Sequence, residues 1–311
     1  MNKPLISVSA PGSLMLLGEH AVLHGRRALV CAIDKHITVS LSQINNRILR
    51  ILSGLGSYEA PLSALEDHPD FRFVLDVVKQ YPLEQGLELK IESEFSSEIG
   101  FGSSAAVTVA THAVLMQLVG TAVPAVRGRL GEASLPLEDV FKRSLATIHR
   151  VQGRGSGADV AASVFGGVVV YRADPLEIKP LKQSFPLTAV YSGAKMKTAD
   201  VIRYLEERRA LNADYFERIF DRMDASVGEV IDDFSQLGRM LILNQKLMEE
   251  MGLCNAALAE IIQEFRDLKV PAKISGSGLG DCAIGLGKVP KVGKFQTYNL
   301  QVDPRGVSFR E

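Results

Sequence analysis

Residues 98–118, EIGFGSSAAVTVATHAVLMQL, set Gly100 and Gly102 around Phe101, then Ser103 and Ser104, ahead of a long run of small and apolar residues. The run predicts a helix from Ser103 to about residue 119, and one serine would be enough to cap it. Paired glycines ask for more than a cap, because glycine accepts positive φ and lets another molecule approach the backbone. Free N–H groups at a helix start then form an anion site, with phosphate the usual occupant. The same pattern also serves as a plain tight connection. It lacks the Gly-Lys-Ser/Thr of a Walker loop and has Ala105 where Gly-x-Gly-x-x-Gly needs its third glycine.

Other glycine-rich stretches share the chain. SAPGSLMLLGEHAVLHG (9–25) leads from a strand into a turn bearing Glu19, His20 and His24. HRVQGRGSGADVAASVFGG (149–167) holds Asp159 within a Gly/Ser loop, and KISGSGLGDCAIGL (273–286) places another flexible loop between strands. Each alone is ordinary turn chemistry, and Asp159 is equally a helix-capping carboxylate ahead of VAASVF. Together they would enclose a polyanion, with one carboxylate at hand to take a proton.

The elements that must position these loops follow from periodicity. Strands are expected at 5–10, 27–33, 36–42, 47–52, 87–93, 166–172 and 187–193, and helices at 71–81 and 137–152. Residues 120–135 read as a looser stretch. Residues 199–268 are mostly helical by pattern, followed by the strand-loop-strand at 272–287 and a β-rich tail at 294–303. The prolines between 175 and 186 mark the best boundary between two units.

A chain of 311 residues exceeds the usual single-domain size, so two lobes are expected. Composition is that of a globular protein, with 46% hydrophobic and 23% charged residues. A formal net charge of −1 speaks against a nucleic-acid partner. Cys31, Cys254 and Cys282 are odd in number and widely spaced, which suits neither a disulfide framework nor a metal site. The start shows no apolar core of signal-peptide length and no later run approaches a membrane span, so a cytoplasmic protein without membrane partners is expected.

These stretches, taken in order, resemble the motifs of the GHMP kinases, a family named for galactokinase and for homoserine, mevalonate and phosphomevalonate kinases. APGSLMLLGEHAVLHG is similar to the first motif, EIGFGSSAA to the second, and KISGSGLGDCAIGL to the third, across nearly the whole length. The resemblance implies an α+β fold of two lobes. An N-terminal ATP-binding lobe (1–180) would be similar to the ribosomal protein S5 domain 2-like fold, and a C-terminal lobe (181–311) to a ferredoxin-like sheet with added helices. It implies an ATP-dependent small-molecule kinase using ATP and Mg²⁺. GEHAVLHG resembles the mevalonate branch, so the 5-hydroxyl of (R)-mevalonate is the implied acceptor; phosphomevalonate, or ligand binding with weakened catalysis, are the alternatives. A homodimer is left open.

Carried onto this chain, the resemblance puts Gly100, Phe101, Gly102, Ser103, Ser104, Ala105 and Ala106 around the ATP phosphates, with the Ser104 hydroxyl in the magnesium shell. Asp159 becomes the catalytic base. Glu19, His20, His24, Lys195, Lys197 and Thr198 would face substrate, Glu19 being a second candidate metal ligand, and Ser275, Gly276, Ser277 and Gly278 would line the cleft. The pattern breaks twice. Ser13 stands where the family usually has lysine after Ala-Pro-Gly, and Ile148 where many members have a metal-binding glutamate. Lys195 or Lys197 is then the expected source of the missing positive charge.

Overall fold

Alternating apolar residues draw the chain into two sheets. The computed structural model describes residues 5–120, 135–194 and 196–310. The first sheet takes β1 (Ile6–Leu17), β2 (Ala28–Ile44), β3 (Ile48–Ser53), β4 (Gly56–Pro61), β5 (Gly86–Ser93), β6 (Val168–Arg172) and β7 (Glu177–Leu181). The second takes β8 (Pro186–Tyr191), β9 (Ala272–Ser275), β10 (Cys282–Leu286) and β11 (Gln296–Gln301), and β12 (Ser308–Phe309) returns to pair with β1. The first sheet is eight-stranded, in the order β12-β1-β2-β5-β3-β4 with β6 and β7 branching from β2. The second is four-stranded and antiparallel, in the order β11-β8-β10-β9, the arrangement of a ferredoxin-like sheet.

The two strands expected at 27–33 and 36–42 are one, β2. Both halves pair with β1 across a register shift between Pro11 and Ser13, while the other edge of β2 changes partner from β6 to β5. The chain bends there without ending, as strands do at such irregularities. Periodicity did not reveal β4 and β7. Each lies at an edge, β4 is mostly exposed, and β7 contains Pro180, which an edge strand tolerates.

Helices α1 (Arg72–Val78), α2 (Ser103–Leu118), α3 (Leu137–Gln152) and α4 (Ala158–Phe165) belong with the first sheet. Helices α5 (Thr198–Leu211), α6 (Ala213–Asp232), α7 (Leu237–Glu250) and α8 (Ala256–Asp267) fill the span predicted to be helical, and together with the second sheet they enclose another apolar core. Residues 121–134, the stretch expected to be looser, lie outside the described residues.

Helix α2 is apolar on nearly every side, so it lies in the core and not on a surface. A buried polar chain fixes it against its neighbours. Tyr81 lies 2.9 Å from His112 Nδ1, and His112 Nε2 lies 3.0 Å from Thr147 Oγ1. Burial, then Arg143 and Arg150, push the His112 pKa down to about 3. The imidazole is therefore neutral and works as a hydrogen-bonding strut between α2 and α3.

Candidate active site

Gly102 is the N-cap of α2 and adopts φ 67°. A Cβ at this position would lie 2.1 Å from Ser13 Oγ, so glycine is required both by the backbone conformation and by the close approach of β1. The Ser13 amide donates to the Phe101 carbonyl at 3.0 Å, fastening the loop to that strand. The Phe101 side chain is buried against Phe95 and Tyr298 and anchors the loop from behind. Helix geometry leaves the amides of Ser103, Ser104 and Ala105 without intrahelical carbonyls. Ala106 is different. Its amide already donates to the Gly102 carbonyl at 3.0 Å, which corrects the expectation that it helps to bind phosphate.

The Ser13 hydroxyl is 1% exposed as a residue, yet it meets two helix starts. It donates to Asp159 Oδ1 at 2.9 Å, and Asp159 sits in the first turn of α4. Ser163, on the same helix, donates to the Pro11 carbonyl at 2.7 Å, so α4 is held against β1 from both ends of this contact. Asp159 itself is exposed. The N-termini of α2 and α4 thus converge on one serine oxygen, with a solvent-facing carboxylate between them. Helix N-termini supply partial positive charge at this point, which suits phosphate and carboxylate alike.

Glu19 lies in a different environment. It is 2% exposed, forms an ion pair with Lys273, which is 0% exposed, and accepts from Asn244 Nδ2 at 2.9 Å. Each of its oxygens already accepts from a protein group, Oε1 from Lys273 and Oε2 from Asn244. Glu19 is thus tied into the interior on both oxygens, unlike the exposed Asp159. Burial pushes the Lys273 pKa down, against the opposing charge and hydrogen bond of Glu19. Sequence reasoning missed Lys273. The available signal was the alternation in AKISGS, with polar residues at every second position.

His20 has φ 58° and is buried, and its Nε2 lies 2.8 Å from the Ser277 carbonyl. A carbonyl can only accept, so Nε2 carries the proton. Burial pushes the His20 pKa down, and the imidazole is neutral at pH 7. His24 faces elsewhere. It stacks on Phe220 of α6 at 4.5 Å and lies 3.2 Å from Glu206 of α5, which makes it a seam residue and not part of the Ser13–Asp159 group.

The third glycine loop reaches the loop of Gly100 and Gly102. A Cβ on Gly100, which has φ 77°, would lie 3.1 Å from Asp281 Cβ, and Cys282 Sγ donates to the Ile99 carbonyl at 2.8 Å. The Ser275 hydroxyl donates to the Met15 carbonyl at 3.0 Å, and Gly276 and Gly278 carry the loop onward with positive φ. The Asp281 amide also donates to the Ala194 carbonyl at 2.8 Å, so the segment leading to Lys197 starts beside this loop. Lys197 is the exposed N-cap of α5 and Thr198 its exposed first residue. Lys195 lies outside the described residues. Ile148 is buried in the apolar core and contributes no metal-binding atom. Among the described residues, no cluster of three or more His, Cys, Asp or Glu side chains is arranged to hold a metal, and no helix is long and apolar enough to cross a membrane.

Family models agree with this arrangement. The GHMP kinases N terminal domain matches residues 71–167, the GHMP kinases C terminal model matches 225–293, and a galactokinase galactose-binding signature matches 1–43. The chain is 33% identical over 310 residues to the mevalonate kinase of Archaeoglobus fulgidus, covering 97% of this chain and 99% of that one. The chain belongs to the GHMP kinase family. This GHMP kinase is also 26% identical to the mevalonate kinase of Saccharolobus solfataricus, over 96% of this chain and 95% of the relative. The crystal structure of the Methanococcus jannaschii mevalonate kinase matches it with a TM-score of 0.80 at 19% identity, covering 97% of this chain and 99% of that chain, a likeness of fold. The two-lobed α+β architecture is thus that of the family, and the protein is an ATP-dependent kinase.

Proposed function

We propose that this GHMP kinase transfers the γ-phosphoryl group of ATP to the 5-hydroxyl of (R)-mevalonate. The observation that carries the chemistry is the meeting of two helix N-termini and an exposed Asp159 at Ser13 Oγ. The relatives named above, mevalonate kinases over nearly their whole length, support the choice of acceptor.

The amides of Ser103, Ser104 and Ala105 receive the ATP phosphates, adding hydrogen bonds to the favourable end of the α2 dipole. Asp159 accepts the proton of the acceptor hydroxyl as the hydroxyl oxygen bonds to the γ-phosphorus, while Ser13 holds the carboxylate in place. The bond from that phosphorus to the β,γ-bridging oxygen breaks as the new one forms, releasing ADP. Ser13 carries no charge, so a lysine of the 195–197 segment supplies the cation beside the acceptor. Lys195→Met and Lys197→Met keep side-chain length and remove charge, and one of them is expected to lose kcat.

The donors present suit Mg²⁺ with a small protein share. Ser104 offers a half-buried hydroxyl in the first turn of α2, and Asp159 an exposed carboxylate, whereas Ile148 offers nothing and Glu19 is engaged. Magnesium keeps several waters and phosphate oxygens, so so few protein ligands are enough. When bound, it neutralises charge on the transferring phosphates.

The decisive assay runs mevalonate, phosphomevalonate and galactose side by side with ATP. Preferred turnover of mevalonate is expected. Preference for either other acceptor, or no transfer to any, overturns the assignment.

A further inference from the structure

Lys273 and Ser275 are two positions apart on β9, so they share one face, and Ser277 lies in the loop just beyond the strand. On the opposite face Ala272 and Ile274 enter the apolar core of the second lobe. The Lys273 and Ser275 side chains and the Ser277 backbone carbonyl all bond to the same short segment after the Ala-Pro-Gly motif. Lys273 pairs with Glu19 and donates to the Met15 carbonyl at 3.4 Å. Ser275 donates to that same carbonyl at 3.0 Å, and the Ser277 carbonyl accepts from His20 at 2.8 Å. Asn244 closes the cluster by accepting from the Gly18 amide at 3.3 Å while donating to Glu19.

The contacts join the two lobes. Met15 to His20 continue β1 of the first sheet, which also carries Ser13, whereas Lys273 to Ser277 belong to the second sheet and lead on to Asp281 against Gly100. The phosphate loop is therefore positioned from both sides, through Ser13 on β1 and through the loop that starts at Ser275. Lys273 is the charged, fully buried rung that relates the two.

We infer that Lys273 is a positioning residue: its ion pair with Glu19 sets the register between the lobes and thereby places the 276–281 loop against the phosphate loop. Lys273 touches neither reacting atom. An ammonium buried with a single carboxylate tolerates little displacement, because neither charge has water to fall back on. Loss of the pair loosens the loop, and a misplacement on the order of 1 Å lowers turnover about 10²-fold.

This inference rests on the kinase reading of the site, and the test separates the two. The wild type is first assayed with mevalonate; an inactive wild type counts against the proposed acceptor, not against the positioning role. Lys273→Met is compared with Glu19→Gln/Lys273→Met, in which both charges are removed together and the fold is spared an unpaired buried charge. The double variant is expected to unfold close to the wild-type temperature. Its kcat should fall about 10²-fold, with the KM for ATP within about twofold. Amide exchange should speed up at residues 276–281 and stay unchanged along α2. Lys273→Arg should recover part of the kcat. A double variant with wild-type kcat and unchanged exchange at 276–281 overturns the inference, as does a kcat loss fully explained by the unfolded fraction. If Lys273→Met alone does not fold, the double variant decides.

Discussion

Asp159 and Glu19 are carboxylates on glycine-rich stretches of the same motif set, and the fold places them in opposite environments. Asp159 is exposed, at a helix start, and accepts from the Ser13 hydroxyl. Glu19 is buried, paired with a lysine and bonded to an asparagine. An exposed carboxylate can exchange a proton with a substrate at little structural cost. A buried ion pair cannot, because removing one charge leaves the other without solvent. Residue type and motif membership made both candidates for chemistry; their environments support the proposed proton transfer for one and the proposed inter-lobe positioning for the other.

The strongest way to break this contrast is to neutralise each acid and ask which property fails. Asp159→Asn should lower kcat by about 10²–10⁴. Its unfolding midpoint and ATP binding should stay near wild type. Turnover at the wild-type rate would remove Asp159 from proton transfer.

Glu19→Ala should fail first in stability. Leaving Lys273 buried and unpaired is expected to cost about 3–5 kcal/mol, read by denaturant titration. A loss no larger than that of an exposed residue would mean that the pair does not hold the lobes together, and the contrast between the two acids would collapse.

Ser104→Ala sharpens the question of which groups meet magnesium once Glu19 is committed elsewhere. The Mg²⁺ concentration for half-maximal rate should rise about tenfold, the equivalent of one lost contact of about 1.4 kcal/mol, with the fold intact. Unchanged kinetics at limiting Mg²⁺ would exclude this hydroxyl from the metal shell.

A third acid calibrates the other two. Asp303 is buried, and burial alone would raise its pKa. Hydrogen bonds from His36 and from the backbone and side chain of Arg305 outweigh that effect and hold it down at about 2. Its folded pKa lies below the ordinary value, so its stabilisation is complete above about pH 4 and is lost as pH falls toward 2. Asp303→Asn should flatten acid unfolding across that window by about 2 kcal/mol, judged from the pH dependence of the unfolding free energy. An identical acid limb in the variant would show that His36 and Arg305 do not stabilise the charged form.

Local signals made much of the fold legible. The helix that starts at Ser103, the 137–152 helix and the strand-loop-strand around residues 275–281 follow from periodicity and turn residues that lie close together in sequence. The edge strands β4 and β7 escaped because an edge needs little apolar alternation. Asp159 was readable as either a helix-start acid or a base, and its position in the first turn of α4 agrees with both readings.

The sequence by itself determined which loops could cradle an anion, which carboxylates were candidates, and that Ser13 and Ile148 depart from the family pattern. Only the tertiary structure decided what those residues do. Ser13 became the hydrogen-bond donor to Asp159 because a strand and a helix 146 positions apart meet at its hydroxyl. Glu19 became an anchor because Lys273, 254 positions away, is buried beside it. His24 went to a seam because Phe220 offered its ring a stacking partner. The physical reason is the same in each case. Backbone conformation is written in neighbouring residues, whereas the solvation of a charge depends on what the rest of the chain packs around it.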